Sequence, residues 1–210
     1  MKIGVLDYGA GNLRSVCRAL EHLKYEYELV STEKDIMSVD KLIIPGVGAF
    51  KVAMAQLHRI KAVEPIRELA KIGTPILGIC LGMQLLFDKS SEFGETNGLG
   101  LIDGEINLIP ELDEDSVQHK IPHIGWNELI VDSYSSPIVT GLEKDDSVYF
   151  VHSFRAELPT NENLVAHAKY GGHLIPAIVA KKNVVGCQFH PEKSGTIGLR
   201  ILSNFLVGIV

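Results

Sequence analysis

The sequence predicts an α/β fold in which helices cover a parallel β-sheet. Three observations predict this class. Apolar runs of strand length alternate with amphipathic helical stretches through the first ninety residues, as they do in βαβ units. The 210 residues are 46% hydrophobic and 22% charged, which is typical of a chain that buries a sizeable core. Beyond residue 98 the apolar segments are broken by Gly, Pro and Asp turns, which indicates further strands.

The predicted elements follow one another without a linker, an internal repeat or a low-complexity tract, so residues 1–210 are expected to form a single domain. Amphipathic spacing over residues 12–23 is typical of a helix that covers the first strand. The predicted strands are 2–7, 25–30, 41–44, 75–79, 99–109, 128–131, 148–154, 164–169, 175–180 and 184–189, the last of them central. The predicted helices are 12–23, 51–71, 82–88 and a final helix with one apolar face formed by Gly198, Ile201, Leu202, Phe205 and Ile209.

Charge and composition exclude several classes of function. Twenty Lys and Arg against 26 Asp and Glu leave a net charge of −6, without the basic face that nucleic-acid binding needs. The N-terminus lacks the features of a signal peptide, and the longest uncharged stretch, residues 72–87, is interrupted by Gly and Pro and is too short for a membrane span. Three cysteines are an odd number, which disfavours a disulfide framework and favours a reducing, cytoplasmic location.

A cysteine stands between two glycines at a predicted strand-to-helix junction, in Gly78-Ile79-Cys80-Leu81-Gly82. This is the pattern of a nucleophile elbow with sulfur in place of oxygen, whose strained turn requires small residues on either side. A thiol there lies at a helix N-terminus, which favours the thiolate. A packing cysteine in a buried, glycine-punctuated strand is the alternative interpretation.

Two further motifs supply what a nucleophilic thiolate needs for acyl transfer. His190 and Glu192 are two residues apart in an extended segment and project to the same side, as a general base and the residue that orients it would. The glycine-rich turn at residues 45–48 can present a backbone amide to a developing oxyanion, with the Leu81 amide as the second donor. Taken singly, each motif is also typical of an ordinary turn.

Together these three motifs, in this chain order, resemble the class I (triad) glutamine amidotransferases. The resemblance implies an α/β, flavodoxin-like fold with a mixed, largely parallel central sheet flanked by helices. Finer motifs extend over essentially the whole chain and are most similar to the glutaminase subunits of imidazole glycerol phosphate synthase. These motifs are DYGAGNL at 7–13, PGVGAF at 45–50, GWN at 125–127, YFVHSF at 149–154 and HPEKSG at 190–195.

The resemblance implies that the chain hydrolyses glutamine to glutamate and ammonia through a γ-glutamyl thioester. The implied catalytic triad is Cys80, His190 and Glu192. The implied oxyanion hole uses the amides of Val47, Gly48 and Leu81. The implied contacts to glutamine come from Gln84, Glu92, His152, Ser153 and Phe154.

The resemblance also implies a heterodimer with a (β/α)8-barrel cyclase subunit, encoded separately, which receives ammonia through a tunnel and makes imidazole glycerol phosphate and AICAR in histidine biosynthesis. Glutaminase activity would then depend on the cyclase binding its nucleotide substrate, with the loop at 46–48 as the switch. The residues expected to face this partner are Asn12, Trp126, Tyr149 and Lys193.

Three alternative functions remain, the first with the same amidotransferase chemistry and the other two from different classes. A subunit serving anthranilate or aminodeoxychorismate synthase is disfavoured because those relatives usually carry His and Ser where this chain has Met83 and Lys193. The others are a cysteine peptidase or γ-glutamyl hydrolase, and a flavodoxin-like binding protein with a redox-sensitive Cys80. No cofactor is expected, and no metal either, since Pro122 breaks any helix that would align His119 with His123.

Overall fold

A computed structural model of the protein describes residues 1–9, 11–113 and 115–208. Ala10 of the 7–13 motif and Ile209 of the expected helix face lie outside the described residues. The helices are α1 (Leu13–His22), α2 (Glu33–Ile36), α3 (Phe50–Arg59), α4 (Val63–Ile72), α5 (Leu81–Leu85) and α6 (Gly195–Val207). The strands are β1 (Ile3–Leu6), β2 (Tyr27–Val30), β3 (Lys41–Ile44), β4 (Ile76–Ile79), β5 (Phe87–Ser90), β6 (Thr96–Asn97), β7 (Ile102–Leu108), β8 (His123–Glu128), β9 (Ile130–Val131), β10 (Ser147–His152), β11 (Phe154–Glu157), β12 (Leu164–Tyr170), β13 (His173–Lys181) and β14 (Val184–Cys187).

The main sheet is mixed and has eight strands in the order β2-β1-β3-β4-β14-β13-β12-β9. The first five strands are mutually parallel, and the remaining pairings are antiparallel. The expected fold class, α/β with a mixed, largely parallel sheet, is therefore confirmed, and β14 is central as predicted. The described residues also form two smaller sheets, β10-β8 and β11-β7-β5-β6.

The central strands β1, β3, β4 and β14 are buried along their length, so alternate side chains enter one of two apolar clusters. In β3, for example, Ile43 belongs to the cluster that includes α1 and α6, whereas Leu42 and Ile44 belong to the cluster that includes α3 and α4. Helices thus cover both faces of the sheet, as expected for buried parallel strands. No helix among the described residues is long and apolar enough to cross a membrane.

Several predicted boundaries are wrong for identifiable reasons. The helix predicted at 51–71 is two helices, because Lys61 adopts a left-handed conformation with φ 56° between α3 and α4. The helix predicted at 82–88 ends at Leu85, and the next residues form β5, whose Phe87 pairs with Ile102 of β7. Tertiary pairing overrides local helical preference there. The strands predicted at 128–131 and 148–154 are each divided between two strands of the structure.

The topology brings the chemical motifs together. Because β1, β3, β4 and β14 are parallel neighbours, the segments that follow them lie at one edge of the sheet. These segments contain the described residues of the 7–13 motif, the turn at 45–48, Cys80 and the segment that leads to His190. The carboxyl edge of such a sheet is where α/β proteins bind ligands.

Candidate active site

Cys80 occupies a strained turn between β4 and α5, with φ 54° and ψ −111°. The two flanking glycines allow this turn. A Cβ atom on Gly78 would lie 2.5 Å from the Gly82 carbonyl oxygen, and one on Gly82 would lie 1.8 Å from the Ile44 carbonyl oxygen. Both distances are shorter than any tolerable contact, so the small residues that the elbow pattern requires are also required by the fold.

His190 and Glu192 form a buried pair next to the elbow. The Nδ1 atom of His190 lies 2.7 Å from Oε1 of Glu192, and both side chains are almost completely shielded from solvent. Because an ionised carboxylate only accepts hydrogen bonds, Nδ1 carries the proton. The other nitrogen, Nε2, is buried and has no hydrogen-bond partner among the described residues. The ring is thus oriented by Glu192 and keeps Nε2 available.

The electrostatic environment of His190 favours its charged form. Burial lowers the pKa of His190, but the neighbouring Cys80 sulfur and the Glu192 carboxylate outweigh burial and raise the pKa to about 9. An imidazolium between a thiolate and a carboxylate is the arrangement that nucleophilic catalysis by cysteine requires.

Asn12 lies against this pair. The residue precedes α1 in a left-handed conformation, and its Nδ2 atom donates to Oε1 of Glu192. The same Nδ2 is 3.3 Å from Nδ1 of His190. The sequence motifs predict Asn12 at a partner interface, but the hydrogen bond of its side chain is directed to the carboxylate.

A cavity of about 270 Å³ opens beside Cys80. Its walls contain every residue that the sequence motifs assign to glutamine binding or to the oxyanion hole, together with Val151. The lining residues are Val47, Gly48, Cys80, Leu81, Gln84, Glu92, Val151, His152, Ser153 and Phe154. The volume is at the lower end for ligand pockets, which suits a ligand the size of an amino acid.

Two of these residues also hold the walls of the cavity in place. One carboxylate oxygen of Glu92 accepts from the backbone amide of Phe50 at 2.6 Å, at the start of α3. This contact ties the turn at 45–48 to the loop that carries Glu92. Gln84 donates through Nε2 to the Phe154 carbonyl at 3.2 Å, which joins the elbow helix to β11.

Tyr8 packs against the turn at 45–48; it belongs to the 7–13 motif, but the sequence assigned it no role. It is buried and donates its hydroxyl proton to the Pro45 carbonyl at 2.8 Å. A Cβ atom on Gly46 would lie 2.4 Å from that hydroxyl oxygen, so this glycine permits the close approach. Burial and the nearby Cys80 charge both raise the pKa of Tyr8, so it remains a neutral donor.

A buried pair of histidines lies behind the cavity. His152 donates through Nδ1 to the Phe154 carbonyl at 2.8 Å, and its Nε2 lies 3.1 Å from Nδ1 of His123. Asn127 donates to the remaining nitrogen of His123 at 3.2 Å. Burial lowers the pKa of His123 to about 4 and that of His152 to about 3, so both rings are neutral. The sequence raises His123 only as half of a metal site with His119, which it rejects, and it predicts no role for the ring; His119 contacts the Pro110 carbonyl.

The other three residues expected at a partner interface lie at the surface near His190. Trp126 is 59% exposed and makes an edge-to-face contact with Tyr149 on the neighbouring strand, with ring centroids 6.2 Å apart. Lys193 is exposed two residues after Pro191. An exposed Trp beside a Tyr is typical of protein interfaces.

The chain matches one known enzyme family over nearly its whole length. Residues 4–209 match the family model described as glutamine amidotransferase class-I, so the chain belongs to the class I glutamine amidotransferase family. Two solved structures share its fold at low identity: a glutamine amidotransferase (TM-score 0.74, 21% identity, 97% of this chain and 96% of that chain) and PurLQS from Thermotoga maritima (TM-score 0.69, 24% identity, 98% and 97%).

Within this family the chain is similar along nearly its whole length to imidazole glycerol phosphate synthase subunits named HisH. It is 48% identical to the HisH 1 protein of Legionella pneumophila strain Lens, covering 97% of this chain and 98% of the relative. It is 49% identical to the HisH protein of Lactococcus lactis subsp. lactis strain IL1403, covering 98% of each chain. The chain is thus a HisH-like class I glutamine amidotransferase, as the motifs predicted.

Proposed function

We propose that this chain is the glutaminase subunit of an imidazole glycerol phosphate synthase, which hydrolyses glutamine and supplies ammonia for histidine biosynthesis. The observation that carries the proposal is the arrangement around Cys80: a thiol on a strained elbow, beside an imidazole that Glu192 orients, at the wall of an amino-acid-sized cavity. The names of relatives that are nearly half identical over the full length support the same assignment.

In the proposed mechanism, the Cys80 thiolate attacks the side-chain amide carbon of glutamine, and the carbonyl oxygen becomes an oxyanion. The amides of Leu81 and of Val47 or Gly48, which line the same cavity, donate to that oxyanion. The His190 imidazolium then protonates the departing nitrogen as the carbon–nitrogen bond breaks, which leaves ammonia and a γ-glutamyl thioester.

Hydrolysis of the thioester completes the cycle. His190, now neutral, takes a proton from water as the water attacks the thioester carbonyl. Collapse of the second tetrahedral intermediate releases glutamate and returns the thiolate and the imidazolium. Glu192 holds the ring and stabilises its charge throughout, without itself taking the proton.

The partner belongs to the proposal as well. We infer a (β/α)8-barrel cyclase subunit that docks on the face carrying Trp126, Tyr149 and Lys193 and receives the ammonia by channelling. The exposure of Trp126 and Lys193 close to the triad supports this placement. We also infer that residues 1–210 form one domain that works in the cytoplasm, which the three cysteines support, since none is in a disulfide.

The first experiment measures glutamate release from glutamine by the purified chain, alone and with the barrel cyclase and its ribonucleotide substrate. A large increase in the full mixture is expected. Activity of the chain alone at the same rate would contradict conditional activation, and release of glutamate from folate-like γ-glutamyl peptides would indicate a hydrolase instead. If no mixture releases glutamate, the proposal is contradicted.

The substitution Cys80→Ala separates the two half-reactions of the complex. It should abolish glutamine-dependent synthesis because the nucleophile is lost, while ammonia-dependent synthesis by the partner continues. The matched control is Cys17→Ala, which removes a thiol from α1 at a distance from the cavity lining. Loss of both activities in the Cys80 variant alone would mean that Cys80 is needed for assembly rather than for chemistry.

A further inference from the structure

Gln188 is a completely buried amide to which the proposed mechanism assigns no task. It follows β14 and precedes Phe189 and His190, and its exposure is 0%. Its backbone amide donates to the Ala177 carbonyl at 2.9 Å. A buried side-chain amide without partners is costly, and therefore the contacts of both ends of this side chain matter.

The orientation of this amide follows from one backbone carbonyl. The Phe154 carbonyl can only accept, so the end of Gln84 that lies 3.2 Å from it must be the NH₂ group. The same nitrogen of Gln84 lies 3.0 Å from the Gln188 side chain, which must present its oxygen there. The NH₂ group of Gln188 then faces the other way, where its Nε2 lies 4.0 Å from the Cys80 sulfur.

We infer that Gln188 is a positioning residue for this active site, which donates a hydrogen bond to the Cys80 sulfur and fixes the orientation of Gln84. The first role supports the nucleophile, because a neutral donor aimed at the sulfur stabilises negative charge on it during the reaction. The second role leaves Oε1 of Gln84 as an acceptor, since both of its N–H groups are used by Phe154 and Gln188. The second role concerns the binding of glutamine, so it rests on the proposed function.

The surroundings of the sulfur explain why such a donor matters. The Val151 carbonyl lies 3.9 Å from the Cys80 sulfur and can only accept, so it cannot donate a hydrogen bond to the sulfur. The side-chain amide of Gln188 can donate to the sulfur, and it is already desolvated in the folded chain. At 4.0 Å this hydrogen bond is long. We therefore expect an effect of about tenfold on the reactivity of the thiolate rather than its complete loss.

The test compares Gln188→Met with Gln84→Met. Methionine keeps the volume of glutamine but offers no donor or strong acceptor. The first readout is the rate at which iodoacetamide alkylates Cys80 at pH 7 in the chain alone, followed on tryptic peptide 72–89, in which Cys80 is the one cysteine. Gln188→Met should slow alkylation about tenfold, whereas Gln84→Met should slow it by a smaller factor, because the Gln188 donor remains but is no longer held by Gln84.

The second readout divides the effect between kcat and KM for glutamine in the complex with the cyclase. Gln188→Met should lower kcat about tenfold and raise KM, because Gln84 is no longer held. Gln84→Met should raise KM by about as much as Gln188→Met does. The double variant should raise KM no further, since both changes remove the same contact to glutamine. Gln118→Met, at an exposed loop position, is the control for the substitution itself.

Folding is checked by circular dichroism and by ammonia-dependent synthesis in the complex. If Gln188→Met does not fold, Gln188→Asn replaces it, since the shorter amide withdraws the donor from the sulfur, and slower alkylation is again expected. A folded variant that alkylates and turns over glutamine within about twofold of the wild-type rates would overturn the inference. Alkylation requires no glutamine, so slower alkylation of a chain without glutaminase activity would support this inference while contradicting the proposed function.

Discussion

Acidification from pH 8 to pH 5 should remove about 2 kcal/mol of the free energy of unfolding through His123 alone. This ring is 2% exposed and stacks between Phe150 and Tyr170, with ring centroids 4.6 and 4.1 Å away. Burial lowers its pKa from 6.5 to about 4. In the unfolded chain the ring has an ordinary pKa, so between pH 6.5 and pH 4 the unfolded state binds a proton that the folded state does not.

The sign and the size follow from this difference. More protons bound in the unfolded state means that stability rises with pH, so the contribution is complete above about pH 6.5 and declines as pH falls towards about 4. At pH 5, which is about 1.5 units below the pKa of an unperturbed histidine, the loss is about 2 kcal/mol, and below about pH 4 it approaches about 3 kcal/mol. His152, whose pKa is about 3 for the same reason, adds a loss of the same sign.

The assay is urea denaturation of wild type and His123→Phe at pH 8, 6 and 5. Phenylalanine fits the same aromatic stack and cannot titrate, whereas the other titrating groups are common to both proteins. The variant is expected to lose about 2 kcal/mol less than the wild type over this range, although it is less stable at pH 8 because two hydrogen bonds are lost. His22→Phe, at the exposed end of α1, is the control for removing a histidine.

A parallel decline in the stability of the two proteins as the pH falls would contradict this prediction. If wild type and His123→Phe lose stability equally, within an extrapolation error of about 0.5 kcal/mol, then His123 is protonated in the folded state or is solvated there. Either result would contradict the neutral hydrogen-bonded pair with His152 that the structure contains.

Three further predictions concern single positions. Gly82→Ala should prevent folding or cost more than about 3 kcal/mol, because the new methyl group would meet the Ile44 carbonyl, and a normal urea midpoint would contradict this. Lys41→Met should cost about 2 to 3 kcal/mol in urea denaturation, because the buried ammonium binds two carbonyl oxygens at the end of α6 at 2.7 and 2.8 Å. Asn12→Ala should lower kcat for glutamine about tenfold without changing the affinity for the cyclase, since its contact is to Glu192; a loss of affinity at unchanged kcat would make Asn12 an interface residue instead.

The parts of the fold that could be predicted are those that depend on short stretches of sequence. A short, mostly apolar run such as Lys41–Ile44 identifies a strand. Gly78 and Gly82 identify the elbow, because its steric requirement acts over a few positions. The fold class follows from the order of such elements. The boundaries near Leu85 and Lys61 could not be predicted, because they depend on a strand pairing and on one unusual backbone angle.

The contacts within the site depend on pairs that are distant in sequence. Asn12 and Glu192 are 180 positions apart, and nothing in either motif indicates that one side chain donates to the other. The motifs did, however, identify residues that line the cavity, because the turn at 45–48 and the elbow follow strands that end at the same edge of the sheet. A local signal for Gln188 was present in the sequence: it is a lone amide in the apolar run 184–189, and a polar residue at a buried position requires a partner.

The Phe154 carbonyl connects two hydrogen-bond networks at the site. It accepts from Gln84 on the side of Cys80 and from His152 on the side of the buried histidines. Because a carbonyl cannot donate, Gln84 and His152 must each present a donor to it. The orientation of Gln84 then determines which end of the Gln188 amide faces it, and the tautomer of His152 determines the tautomer of His123. A backbone atom thereby sets the polarity of both networks, so substitutions of Gln84 or His152 act on the orientation of their neighbours as well as on the cavity itself.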